Sequence, residues 1–170
     1  MKKTLWITQT AVLTAMLVLL QATTKAGGQL VTGSCVNAVL AVAVLFAGLW
    51  SGVTVALTSP FFAFLLGIGP QLIPIVLAIA VGNVAYVLLL HFLYRKCHLL
   101  RAISLPCAAL CKFLTLYLLV VELLCRVLPL PEKKVATFTA MFSWPQLITA
   151  LIGGAVALLI VPILRKALRR

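Results

Sequence analysis

Very few side chains in this sequence can move a proton, attack a bond or hold a metal. Its 170 residues include two carboxylates, Glu122 and Glu132, two histidines, His91 and His98, and five cysteines, Cys35, Cys97, Cys107, Cys111 and Cys125. A nucleophile needs a base within reach, and the base needs an orienting partner. No serine or cysteine is placed with a histidine and a carboxylate in that way. Cys107 and Cys111 share a helix face, but no histidine or carboxylate joins them at metal-ligand spacing. There is no CxxC, and an odd number of thiols scattered through apolar runs reads as small buried hydrophobes. The GxxxxGK[ST] loop that cradles nucleotide phosphates is also missing. Neither an enzyme nor a cofactor is expected, and any pumping must draw its energy from a partner or an ion gradient. Recognition is the chemistry that is left.

The residues able to recognise something are polar groups embedded in apolar runs. A charge at the middle of a bilayer costs about 2.5 to 3.5 kcal/mol on insertion scales, so each needs a partner, a cavity or a ligand. Lys112, Thr115, Glu122 and Arg126 follow one another at offsets of three, seven and four on one helical stripe. Lys112 and Glu122, ten residues apart, are separated by about 15 Å along a helix and cannot pair directly. Glu122 has two readings, a pocket group or the partner of Arg126 at i+4. Lys112 has three: it snorkels, it meets a partner subunit, or it closes the floor of a pocket. Asn83, with Tyr86 on the same face, is either an interhelical bond or a pocket pair. Trp144 beside Gln146 is either an interfacial belt residue or a surface on which a flat heteroaromatic ligand stacks. Asn37 and Gln71 are further candidates, whereas His91 reads as a capping or interface residue.

The elements that carry these residues are membrane helices. With 64% hydrophobic and 9% charged residues and a mean hydropathy of +1.23, the chain cannot keep its surface in water. Its length suits one compact domain. We expect an all-α bundle of six transmembrane helices covering 1–170. The first is Leu5 to Ala22, a basic pair followed by an apolar run of bilayer length, retained as a span because no A-x-A site follows it. A Gly-rich loop, Thr23 to Gly33, comes next. Helices over about 34–47 and 53–66 flank a turn at Gly48 to Gly52. The second of these carries the small-residue seam Ala56, Ser59, Ala63 and Gly67 and a kink at Pro60. A turn at Gly67 to Gln71 precedes a helix from Pro74 to Tyr94, and Arg95, Lys96, His98 and Arg101 mark an aqueous loop. Two last helices, about 102–127 and 137–164, are separated by Leu128 to Ala136, whose prolines cannot all be helical. There is no internal repeat.

The net charge of +12 does not signal nucleic acid, because the bases punctuate apolar runs instead of clustering on a water-facing surface. With six crossings, one side holds Lys2, Lys3, Arg95, Lys96, Arg101, Arg165, Lys166, Arg169 and Arg170, nine in all, against Lys25, Arg126, Lys133 and Lys134 on the other. The positive-inside rule then puts both termini in the cytoplasm.

Ala11 and Ala15 lie one turn apart on the first helix in the run AVLTA, and small residues so spaced let a second backbone come close. Such a seam serves packing within one chain as readily as docking of another. A small membrane protein of about six spans, with Ala-xxx-Ala on its first helix and a polar loop after it, resembles the substrate-binding S component of energy-coupling-factor (ECF) vitamin transporters. The resemblance covers the whole chain in layout, and Ala-xxx-Ala is its only motif. It implies that Ala11 and Ala15 dock on a transmembrane T component, which works with two ATP-binding-cassette ATPases. It also implies a small vitamin or micronutrient held near the outer face by the later helices, where Asn83, Tyr86, Glu122, Trp144 and Gln146 fall, joined by Asn37 and Lys112. The loop with Gly27, Gly28 and Gln29 would be a lid. The rival classes are a self-sufficient secondary carrier, which needs an ion-coupling site and usually repeats, and a membrane scaffold or assembly protein, in which the polar residues are interhelical glue.

Overall fold

The structure, a computed structural model, describes residues 3–96 and 98–168. Lys2, Cys97, Arg169 and Arg170, counted above, lie outside the described residues. Every element is helical among them. Seven helices follow in order: α1 Lys3–Thr24, α2 Gly28–Val42, α3 Leu49–Leu65, α4 Ile73–Arg95, α5 His98–Leu116, α6 Glu132–Met141 and α7 Trp144–Ala167. Two are prolonged by wider π-type turns, α2 through Ala43–Ala47 and α5 through Tyr117–Leu124, the latter ending in a short α-turn, Cys125–Val127.

In hydrocarbon no water is at hand to satisfy a hydroxyl, so a threonine in a membrane helix must return its proton to its own backbone. In α1, Thr8, Thr10 and Thr14 each donate to the carbonyl four residues back, at 2.9, 2.8 and 2.9 Å. Thr54 and Thr58 do the same in α3. Polar residues therefore cost these helices little, and apolar side chains cover the outside. Val12, Leu57, Leu77, Leu118, Ile152 and Leu159, spread over five helices, are all exposed. Four helical stretches among the described residues are long and apolar enough to cross a membrane, Thr4–Ala47, Ile73–Arg95, Leu100–Val127 and Glu132–Ala167, and Leu49–Leu65 is a shorter apolar helix.

The expected loop at Thr23 to Gly33 is not there. A single turn, Lys25–Gly27, joins α1 to α2, and the chain reverses at Gly28, whose φ of 76° only glycine adopts without strain. Thr32 closes the reversal by donating to the Thr24 carbonyl at 2.8 Å. The turn expected over Gly48 to Gly52 shrinks to Gly48, with φ of 104°, because one left-handed residue suffices. The helix expected over 137–164 is divided: α6 ends at Met141 and α7 begins at Trp144, with Pro145 in its first turn, where its missing N–H costs nothing.

Side-chain contacts give the directions. Thr10 bonds Ser51 and Gln21 reaches the Ser59 carbonyl, so α1 and α3 run the same way. Asn37 meets Thr149, and Arg165 donates to the Leu45 carbonyl at 2.6 Å, so α2 and α7 also run together. The end holding Arg95, Arg101 and Arg165 is called lower here, and the end holding Lys25, Gly69 and Trp144 upper. The core centres on α2, where Leu40, Ala41 and Ala43 are fully buried beside Leu17, Val55, Val87 and Ala157. The backbones of α2 and α7 come close together: a Cβ on Gly153 would stand 2.4 Å from the Ser34 carbonyl oxygen. A second apolar cluster, with Ile75, Leu116, Val120, Phe138 and Phe142, plugs α4 and α5 against α6.

Candidate functional site

Beneath the upper end lies a cavity of about 250 Å³. Its floor is a polar chain contributed by five helices. Lys112 of α5, only 3% exposed, donates to Asn37 Oδ1 of α2 at 2.6 Å and to Asn83 Oδ1 of α4 at 2.7 Å. An ammonium can only donate, so both amides must turn their oxygens to it. Their NH₂ groups then point outward. Asn37 Nδ2 donates to Thr149 Oγ1 of α7 at 3.2 Å, and Asn83 Nδ2 donates to Ser59 Oγ of α3 at 3.2 Å. Snorkelling of Lys112 is thereby excluded, since its head is held inside the bundle. The Tyr86 ring lies 5.7 Å from the same ammonium.

Gln21, Pro60 and Ile79 form walls, and the turn over Ile68 to Pro70 reaches the upper edge. On the opposite side the cavity is bounded by the break between α6 and α7. Ending α6 at Met141 frees a carbonyl that helix continuation would have used. Two glutamines take it: Gln29 Nε2 donates to it from the start of α2, and Gln146 Nε2 donates to it at 3.2 Å. Gly28 and Gln29 line the cavity as the first residues of a helix, whereas Gly27 does not.

Of the residues singled out from sequence, Asn37, Asn83, Lys112 and Gln146 thus converge on one cavity, with Gly28 and Gln29 at its rim. Four others fall elsewhere. Glu122 is paired with Arg126 at i+4 and is partly exposed, which corrects the pocket reading in favour of the bridge. Tyr86 is fully buried and spends its hydroxyl on the Ala150 carbonyl at 3.3 Å, behind the cavity floor. Trp144 is 68% exposed and stacks on Phe113, with ring centroids 5.9 Å apart, a belt position outside the cavity. Gln71 folds back on the Gly69 carbonyl at 3.5 Å. Sequence reasoning missed Gln21, Ser59 and Thr149. Ser59 was visible only as a small residue in a seam, and Gln21, one position before the end of the first expected span, was given no role of its own.

A second concavity runs along the outside of the bundle between α1 and α3. Trp6, Ala11, Thr14, Ala15, Thr54 and Phe62 line it, and both alanines are exposed. Thr14 and Thr54 spend their hydroxyl protons on their own helices. Among the described residues, no other helix covers this strip.

A multi-helix membrane protein with a mostly apolar cavity, open at one end and floored by a few convergent polar groups, has the form of a ligand-binding membrane protein. The family model for the ECF transporter substrate-specific component matches residues 6–165, and the chain belongs to that family. Members are the substrate-binding subunits of transporters and not enzymes. No curated protein and no solved structure matches the chain.

Proposed function

We propose that the chain captures a small molecule, of the vitamin or micronutrient kind, in the cavity above Lys112 and hands it inward as part of an ATP-driven importer. The observation that carries this reading is the floor: a charged side chain and two amides, each about 1% to 3% exposed, held together at the edge of a space that side chains leave unfilled. Interiors are packed to crystal density, so a mostly apolar space of this size with a few convergent polar groups, at the end of a bundle, is a place for a ligand. In this reading α1, α2, α3, α4, α5 and α7 each cross the bilayer. The 17 residues of α3 extend about 26 Å, close to the hydrocarbon thickness. The lower end, with Arg95, Lys96, Arg101, Arg165 and Lys166, is cytoplasmic by the positive-inside rule, as are both termini, and the cavity faces outward.

The strip of Ala11 and Ala15 is the surface for a T component, itself coupled to two ATP-binding-cassette ATPases. Its support is geometric: small residues and methyl groups line an open groove, which lets a second helix backbone approach. Replacing both alanines by Trp fills the groove without touching the cavity. Uptake into cells is expected to fall to background while detergent-purified protein keeps its bound ligand; full uptake by the double variant overturns the docking assignment. Gradient-driven uptake in vesicles that lack ATPases would instead identify a secondary carrier.

A further inference from the structure

We propose that the ligand of this cavity is a compact organic anion whose acidic group sits against Lys112, with an N–H or O–H donor elsewhere on the molecule reaching Gln21. The inference rests on the binding role just assigned to the cavity and adds the ligand's charge and polarity. The first observation is uncompensated charge. Lys112 is 3% exposed, yet neither carboxylate of the chain comes near it. Glu122 is engaged by Arg126 and Glu132 is an exposed residue at the start of α6. The second base on the cavity wall is Lys25, exposed at the mouth. A lining with two lysines and no acid favours negative charge. In a low-dielectric niche, moreover, a buried ammonium with only neutral partners stays costly until an anion joins it.

The second observation is donor arithmetic. An ammonium has three N–H groups. Two are taken by Asn37 and Asn83, and the third has no acceptor among the described residues. The floor is therefore built with one strong donor left over. The amides are poorly placed to serve a cation, because each oxygen already accepts from the Lys112 ammonium, which would repel it, and each NH₂ group faces Thr149 or Ser59. The third observation comes from the other wall. Gln21 is 4% exposed and lines the cavity. Its Nε2 reaches the Ser59 carbonyl at 3.5 Å, while its Oε1 is buried with no hydrogen-bond partner. A buried acceptor without a donor is destabilising by about the same amount as a broken hydrogen bond, and a ligand N–H or O–H would relieve it. Size completes the description: 250 Å³ lies just below the range of about 300 to 1,000 Å³ that holds drug-sized ligands. That suits a short-chain or single-ring acid and not a dinucleotide.

The test uses detergent-purified full-length protein incubated with a small-molecule extract of bacterial cells, then washed, denatured and analysed by mass spectrometry in both polarities. Wild type, Lys112→Met, Lys112→Arg and Gln21→Leu are compared, with melting temperature as the check on folding. The expected result is one compound, anionic at neutral pH, retained by wild type, with its affinity lowered about 30-fold or more in Lys112→Met, the lower range for truncating one side of a buried charge pair. Lys112→Arg should retain more of it than Lys112→Met. Gln21→Leu, which leaves the ammonium and its amides intact, should weaken it by a smaller factor. Retention of a neutral or cationic compound overturns the inference but leaves the transporter reading standing. So does an anion held equally well by a folded Lys112→Met variant. A folded wild type that retains nothing overturns both.

Discussion

The hydrogen-bonded floor makes a quantitative demand that can be met or failed without knowing the ligand. Consider Asn83→Leu, a change of shape small enough to be accommodated but fatal to the acceptor. It removes the 2.7 Å bond from Lys112 Nζ and the 3.2 Å bond to Ser59 Oγ. A hydrogen bond to a charged group contributes about 1.5 to 3 kcal/mol and a neutral one about 1 kcal/mol. The leucine side chain restores some apolar burial, so the net loss should be about 2 to 3 kcal/mol, the first bond dominating. In a Lys112→Met background the first bond is already gone, and the thioether leaves both amide oxygens without a donor. There the same Asn83→Leu change also removes one of those orphaned acceptors and should be nearly neutral. The double-mutant cycle therefore predicts a coupling of about 1.5 to 3 kcal/mol between positions 83 and 112. Unfolding followed by circular dichroism in mixed micelles, with the four proteins in one detergent, measures it. Coupling below about 0.5 kcal/mol, within the usual error of additivity, would refute the claim that an ammonium is clamped there.

Two further variants probe the frame around this floor. Gly153→Ala places a methyl 2.4 Å from the Ser34 carbonyl oxygen and 2.6 Å from the Ala38 nitrogen, so α2 and α7 must part by about 1 Å; overpacking of this kind costs about 1 to 3 kcal/mol. A lowered melting temperature and weaker ligand retention are expected together, because the 3.2 Å bond from Asn37 to Thr149 spans that interface; an unchanged melting temperature would contradict the close approach. Glu122→Gln, by contrast, touches only the pair with Arg126, in which the side chains are 36% and 73% exposed. Ligand affinity should be unaltered within about twofold and stability should fall by no more than about 0.5 kcal/mol. A tenfold loss of affinity would place Glu122 back in the site.

What the amino-acid order revealed of this molecule, and what it hid, follows from the same physics. Asn37, Asn83 and Lys112 stand out as polar residues within apolar runs, and each needs a partner wherever the bundle puts it. Periodicity cannot say that the partners are one another, because the three sit on three helices whose rotation is set by packing. Glu122 and Tyr86 stand out for the same reason and lead elsewhere. Each found a local or backbone partner, Arg126 one turn on and the Ala150 carbonyl, that satisfies it without a ligand. Helix α4 was legible almost to its ends because Pro74 and Arg95 bracket it. The Gly27-Gly28 pair was misread as a loop because composition shows that glycine can turn the chain, not that one left-handed residue is enough.

The cavity and the outer groove are built on the same pair of helices. Gln21 and Ser59 face the cavity from α1 and α3, while Ala15 and Thr58 line the groove from those helices. Polar cross-links between the two are sparse: Thr10 to Ser51 at 3.0 Å near the lower end, and Gln21 to the Ser59 carbonyl at 3.5 Å beside the cavity. The second is at the limit of a hydrogen bond and holds little. A ligand that recruits Gln21 changes the restraint on α1 relative to α3, and a helix seated in the groove does so from outside. Any such displacement is shared, so linkage requires that an effect of docking on ligand affinity be matched by an equal effect of ligand on docking. The weak link is Gln21. Gln21→Leu therefore serves a second purpose: if the two surfaces communicate through it, the variant lowers ligand affinity and also flattens the difference in partner affinity between loaded and empty protein. A variant that loses affinity but keeps that difference in full would show that communication runs through some other contact.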